Sequence, residues 1–108
     1  MPPLTSYTRV DLEALASLLG GRGAHCWEQL RYKDSNRLRN AAEALQNLLS
    51  ARPRVKHLAA SQLCLILGPP SALYRALQAP PEELPFIAAA ASDTVAGVVA
   101  QVRLARGF

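Results

Sequence analysis

The chain reads as an all-α fold: a compact bundle of six to seven short helices in one domain spanning residues 1–108, arranged around a buried central helix. Three observations carry that expectation. Alanine and leucine dominate, aromatic residues make up only 6% of the chain, and β-branched residues cluster only at Val95–Val102, a balance that favours helix over strand. Apolar residues recur at three- and four-residue intervals along most of the length. The segments with this spacing are separated by Gly- and Pro-containing breaks of about two to five residues, the connection length of helical bundles.

The first helix opens at Thr8-Arg9-Val10-Asp11, a capping box in which Thr8 is the N-cap and Asp11 reaches back to it. Leu12, Leu15, Ala16 and Leu19 then share one face, and Gly20-Gly21 is expected to close the helix. Residues 25–33 fit either a short helix or an extended segment. Asp34, Ser35 and Asn36 are N-cap candidates, so a second helix is expected to start near Asn36. Leu38, Ala41, Ala42, Leu45, Leu48 and Leu49 are its core stripe, with Arg39 and Glu43 spaced for a modest surface pair.

The central helix is expected over residues 53–67. Val55, Leu58, Ala59, Leu63, Cys64, Leu65, Ile66 and Leu67 leave it almost no polar side, and a helix apolar nearly all round is one buried by its neighbours. Pro53 suits its first turn and Gly68-Pro69-Pro70 ends it. Ser71 should cap a short helix to about Gln78, Pro81-Glu82-Glu83 should open another with Pro85 in its first turn, and Ser92 or Asp93 should cap the last. That last helix carries the stripe Val95, Val98, Val99 and Val102. Being rich in Ala and Val, it could leave a small apolar patch exposed, which would favour a homo-oligomer.

Half of the residues are hydrophobic and 19% are charged, the profile of a folded globular chain. No apolar run approaches the roughly 20 residues of a membrane-spanning helix, and MPPLTSYTRV lacks the apolar core of a signal peptide. The expectation is a cytoplasmic protein that does not enter a membrane. Cys26 and Cys64 have no C-x-x-C spacing, and His25 and His57 have no ligand partner at helical spacing, so no metal site and no cofactor are expected. Cys64 reads as a small core side chain. Neighbouring His25 and Cys26 should point apart.

The net charge of +4 is uneven: residues 31–56 hold seven basic and two acidic side chains, while the rest of the chain is close to neutral. The basic residues fall into two clusters, Arg31–Arg39 and Arg52–Lys56, flanking one helix about 20 Å apart at 1.5 Å per residue. Arg31, Lys33, Arg37 and Arg39 are the candidate anion- or partner-binding residues.

Leu30-Arg31-Tyr32-Lys33-Asp34-Ser35-Asn36-Arg37-Leu38, followed by Ala42-Glu43 and Leu45, resembles a motif of the EPSP synthase family of enolpyruvyl transferases, L-R-x-K-E-[ST]-D-R-[LI] and then A-E-x-L. The resemblance implies that Lys33 and Arg37 would contact anionic substrates and that Asp34 stands in place of the family's glutamate. Asn36 replaces its aspartate, and Asp11 loosely matches an upstream acidic residue. It also implies strand near His25–Lys33. The likeness is confined to residues 30–45, without the family's D-H-R segment or the phosphate-binding motifs of its other domain. It therefore implies a non-catalytic remnant. Read from the residues alone, the segment is a charged turn that caps a helix.

Residues 59–77 look somewhat like a helix-turn-helix, with Tyr74 and Arg75 as the nucleic-acid contacts of its second helix. Apart from these, no nucleophile–base set and no Gly-rich phosphate loop is present. The leading expectation is a non-enzymatic binding or adaptor protein with a protein partner and a basic patch. A nucleic-acid partner is the alternative.

Overall fold

The computed structural model describes residues 6–68 and 71–107. The Pro69-Pro70 break and residues 1–5 of the N-terminal segment lie outside them. The fold is mostly helical. A short strand β1 (Ser6–Thr8) leads into α1 (Arg9–Glu28) and α2 (Tyr32–Ala51). Strand β2 (His57–Ala59) then leads into α3 (Ala60–Leu67), α4 (Ser71–Gln78), a 3-10 turn over Pro81–Glu83, α5 (Leu84–Ala90) and α6 (Val95–Arg106).

The capping box that starts α1 is present. Thr8 Oγ1 accepts from the Asp11 N–H at 3.2 Å, and the Asp11 carboxylate accepts from the Thr8 N–H at 3.0 Å. Leu12, Leu15, Ala16 and Leu19 are buried. The helix does not stop at Gly20-Gly21 but continues to Glu28. A Cβ on Gly20 would sit 4.0 Å from the Ala42 Cβ, and one on Gly23 would collide with the Arg39 side chain at 2.5 Å. Of these, only Gly23 is required by packing between the helices, and the local stop signal is overridden.

The actual stop is a Schellman motif. The Arg31 N–H donates to Cys26 O at 2.8 Å and the Leu30 N–H donates to Trp27 O at 3.0 Å. The left-handed residue this geometry demands is Leu30, with φ of 61°, where glycine is usual. The next helix starts at Tyr32, four residues before Asn36. Ser35 is no cap: its buried hydroxyl donates across the helix interface to Gly23 O at 2.7 Å. Residues 25–33 are thus helix, turn and helix, not strand. The stripe of α2 is buried at Leu38, Ala41, Ala42, Leu45 and Leu49 and half-buried at Leu48.

The helix expected over 53–67 is reduced to α3. Arg52–Val55 forms a turn, and His57–Ala59 is extended, pairing antiparallel with β1 so that Tyr7 faces Leu58. This partner lies about fifty residues upstream, beyond the reach of local periodicity. Nor is α3 buried all round: Ala60, Leu63 and Cys64 are buried, while Leu65 is 82% exposed. The most buried element is α6, in which Ala96–Ala100, Val102 and Arg103 are all covered. Its valines Val98, Val99 and Val102 are buried within the fold. Its N-cap is Thr94, whose Oγ1 accepts from the Gly97 N–H at 3.1 Å, rather than Ser92 or Asp93.

Arg103 is 2% exposed. Its Nη1 donates to Ala76 O at 3.0 Å and Ala79 O at 2.7 Å, and the buried Tyr7 hydroxyl donates to Leu77 O between them. Together they satisfy carbonyls at the C-terminal end of α4, where the helix dipole also favours a cation.

Candidate functional site

The α1–α2 corner presents the most distinctive surface. Trp27 lies in the last turn of α1 and is 51% exposed; Leu30 is 71% exposed. Tyr32, half-exposed at the start of α2, packs edge-on against Trp27, with ring centroids 4.7 Å apart at 64°. The Arg39 guanidinium stands 5.9 Å from the Trp27 centroid, at the outer limit of a cation–π contact. Among the described residues Arg39 and Glu43 form no ion pair. Three large, largely apolar side chains thus project from one corner beside a cation. Exposure of this kind is what single scattered surface hydrophobes do not produce.

The four basic residues singled out from the sequence divide by role. Arg31 is committed to the fold, with Nη1 donating to Asp93 at 2.5 Å and Nη2 to Asp34 at 2.7 Å. Arg22 adds a longer contact to Asp93 at 3.7 Å. These bonds tie the helical corner to the turn before α6. The hydrogen bond from Arg31, more than any other influence, holds the Asp93 carboxyl below its ordinary range. Reciprocally, the bonds to Asp93 and then Asp34 raise the Arg31 guanidinium above its own. Lys33 and Arg37 are exposed one turn apart on α2, and among the described residues neither is in an ion pair. Sequence reasoning grouped all four by charge; contacts to Asp93, distant in the chain, and to Asp34, three residues on, separate Arg31 from the rest.

Tyr74 and Arg75 sit together on the solvent side of α4, which follows α3 across a short break. Arg75 lies 3.6 Å from Glu83, so its charge is partly offset and Lys33, Arg37 and Arg39 belong to a different helix. Trp27 and Leu30, exposed at the α1–α2 corner, were not among the candidate residues read from the sequence. Their signal is faint in the sequence: an isolated Trp, and a Leu at a position where only the turn geometry reveals the oddity.

Cys26 and Cys64 are both buried and free, and burial pushes the Cys64 thiol up. His25 is exposed while Cys26 is buried, so the two do point apart. Among the described residues no three His, Cys, Asp or Glu side chains gather as a metal site, and no helix is long and apolar enough to cross a membrane. No family model, curated protein or solved structure matches the chain, so the functional reading rests on this geometry.

Proposed function

We propose that this chain is a non-catalytic cytoplasmic binding module that docks an acidic, apolar-anchored segment of another protein on the α1–α2 corner. One observation carries the reading: Trp27, Leu30 and Tyr32 are held out to solvent by a turn whose left-handed residue is a leucine. Trp, Tyr and Arg are the side chains that dominate binding energy at protein interfaces. Lys33 and Arg37, in no ion pair among the described residues, supply a positive rim, which steers an acidic partner and sets specificity more than it adds affinity. The reading needs no cofactor, and a cytoplasmic setting keeps thiols such as Cys26 and Cys64 reduced.

The test is selection from a phage-displayed peptide library by the whole protein, repeated with Trp27→Ala and with Lys33→Ala/Arg37→Ala. The expected peptides pair an aromatic or aliphatic anchor with Asp or Glu. Trp27→Ala should weaken them about 30-fold, the effect of losing a hot-spot anchor. The double lysine–arginine variant should slow association mainly at low salt. Arg31 is left intact because its truncation would disturb the fold. Unchanged selection by Trp27→Ala would defeat the proposal. So would binding of duplex DNA that falls steeply with salt and is lost on changing Tyr74 and Arg75.

A further inference from the structure

The second basic cluster, Arg52–Lys56, lies at the far end of the α1–α2 pair from the Trp27 corner, about 30 Å away along a helix of 20 residues. There the turn that follows α2 meets the start of α1 in a shallow groove of about 480 Å³. Val10, which is 55% exposed, Pro53 and the half-buried Val55 make most of its surface apolar.

Every charged side chain in its lining is a cation: Arg9, Arg54 and Lys56. Arg9 is committed to the fold, its guanidinium donating to Leu49 O, Arg52 O and Glu13, each at 3.2 Å. Arg54 and Lys56 are exposed, as is neighbouring Arg52, and among the described residues none of the three is in an ion pair. The nearest acids along α1, Asp11 and Glu13, are taken by Arg106 at 2.6 Å and Arg9 at 3.2 Å. The groove is therefore positive, which selects an anionic partner over an amine or a neutral one.

Its apolar floor then separates one anion from another. Free phosphate or a nucleic-acid backbone would use the cations and leave the valines in water. A peptide would bring backbone amides, and the groove has few hydrogen bonds to give them. The Thr8 N–H already donates to Asp11, the Arg9 N–H to Lys56 O and the Val55 N–H to Arg52 O, while Pro53 has none. Amides buried there without partners would be costly. An acyl chain carries no such groups, so acidic headgroups above an apolar layer match cations around an apolar floor.

We propose that this end of the molecule docks on the surface of an anionic lipid bilayer. Arg54 and Lys56, with Arg52 beside them, meet the headgroups while Val10 and Pro53 dip among them, and no segment crosses the membrane. The Trp27 corner then faces away from the bilayer, so the two surfaces can be tested separately.

The experiment floats the full chain with vesicles of phosphatidylcholine, with and without about one-third phosphatidylserine, at low and high salt. The expected result is binding to the anionic vesicles alone, released by salt. Arg54→Ala/Lys56→Ala should cut vesicle affinity about 30-fold, the combined worth of two basic side chains at an anionic surface, with the melting temperature unchanged. Arg54→Lys should bind as the unaltered chain does. Val10→Ser should weaken binding about tenfold through lost apolar burial, and Trp27→Ala should not alter it. The proposal fails if anionic vesicles do not bind, if neutral vesicles bind as well, or if Arg54→Ala/Lys56→Ala or Val10→Ser leaves affinity intact. It fails equally if Trp27→Ala abolishes binding, or if duplex DNA or soluble glycerophosphoserine binds as tightly as the vesicles.

Discussion

Leu30 shows how one backbone dihedral can separate stability from binding. A side chain with a Cβ in the left-handed region costs about 1–2 kcal/mol, and glycine avoids it. Leu30→Gly should therefore stabilise the fold by up to about 1 kcal/mol, once the greater freedom of glycine in the unfolded chain is subtracted. The same change deletes an exposed anchor of the proposed interface. Higher resistance to urea together with weaker binding of the selected peptides is the expected pair of results. A loss of stability instead would mean that the Leu30 side chain supports the corner. Arg103 poses the opposite case, a buried charge with no acid in an ion pair with it among the described residues. Its Nη1 has two carbonyls, while among the described residues its Nε and Nη2 have no partner. The α4 terminus thus compensates only part of its desolvation.

At the scale of elements, the glycines in helices are not equivalent, and the geometry ranks them. A Cβ on Gly97 would fall 1.7 Å from Ala91 O, a backbone atom that cannot rotate away. Gly97→Ala must therefore push α6 off the α5–α6 turn, at about 2–3 kcal/mol, in the range for overpacked cores. Gly21 is exposed within α1 and a Cβ there would meet nothing within 4 Å. Gly21→Ala should stabilise by about 0.5–1 kcal/mol, the helix-interior penalty of glycine. Chemical denaturation of both variants checks the opposite signs. Two destabilisations of equal size would show that α1 needs the freedom of Gly21. From sequence, Gly20-Gly21 and Gly97 differ little; the difference lies in what crosses them.

Over the whole molecule, two pH limits follow from contacts between elements far apart in the chain. Burial, opposed by the nearby Arg103 cation, pushes the Tyr7 phenol up to about 12. In the unfolded chain the phenol ionises near pH 10, so stability from its neutral buried form is complete below about pH 10 and is lost as pH climbs toward about 12. The loss should reach about 2–3 kcal/mol, seen as a falling melting temperature, and most of that slope should vanish in Tyr7→Phe. An unchanged slope would place its origin elsewhere. The Asp93 carboxyl is held low by Arg31, which works in the opposite direction. Its contribution is present above the unfolded carboxylate range near pH 4 and disappears as pH drops through the lower folded value. Because the pair is partly exposed, added salt should shrink the acid effect.

Helical character, the Thr8–Asp11 cap and the buried faces of α1 and α2 are all legible in the residues themselves, because a 3.6-residue period and a short-range hydrogen bond are local properties. The basic character of residues 31–39 is legible for the same reason. Tertiary structure alone decides the rest. It turns residues 57–59 into a strand through pairing with residues 6–8, carries α1 through its glycines, and makes α6 rather than α3 the buried helix. It also pairs Arg31 with Asp93 and leaves Trp27 and Leu30 exposed at the α1–α2 corner. Each of these depends on a partner distant in sequence, and the free energy of packing against that partner outweighs local preferences of a few tenths to about 1 kcal/mol per residue.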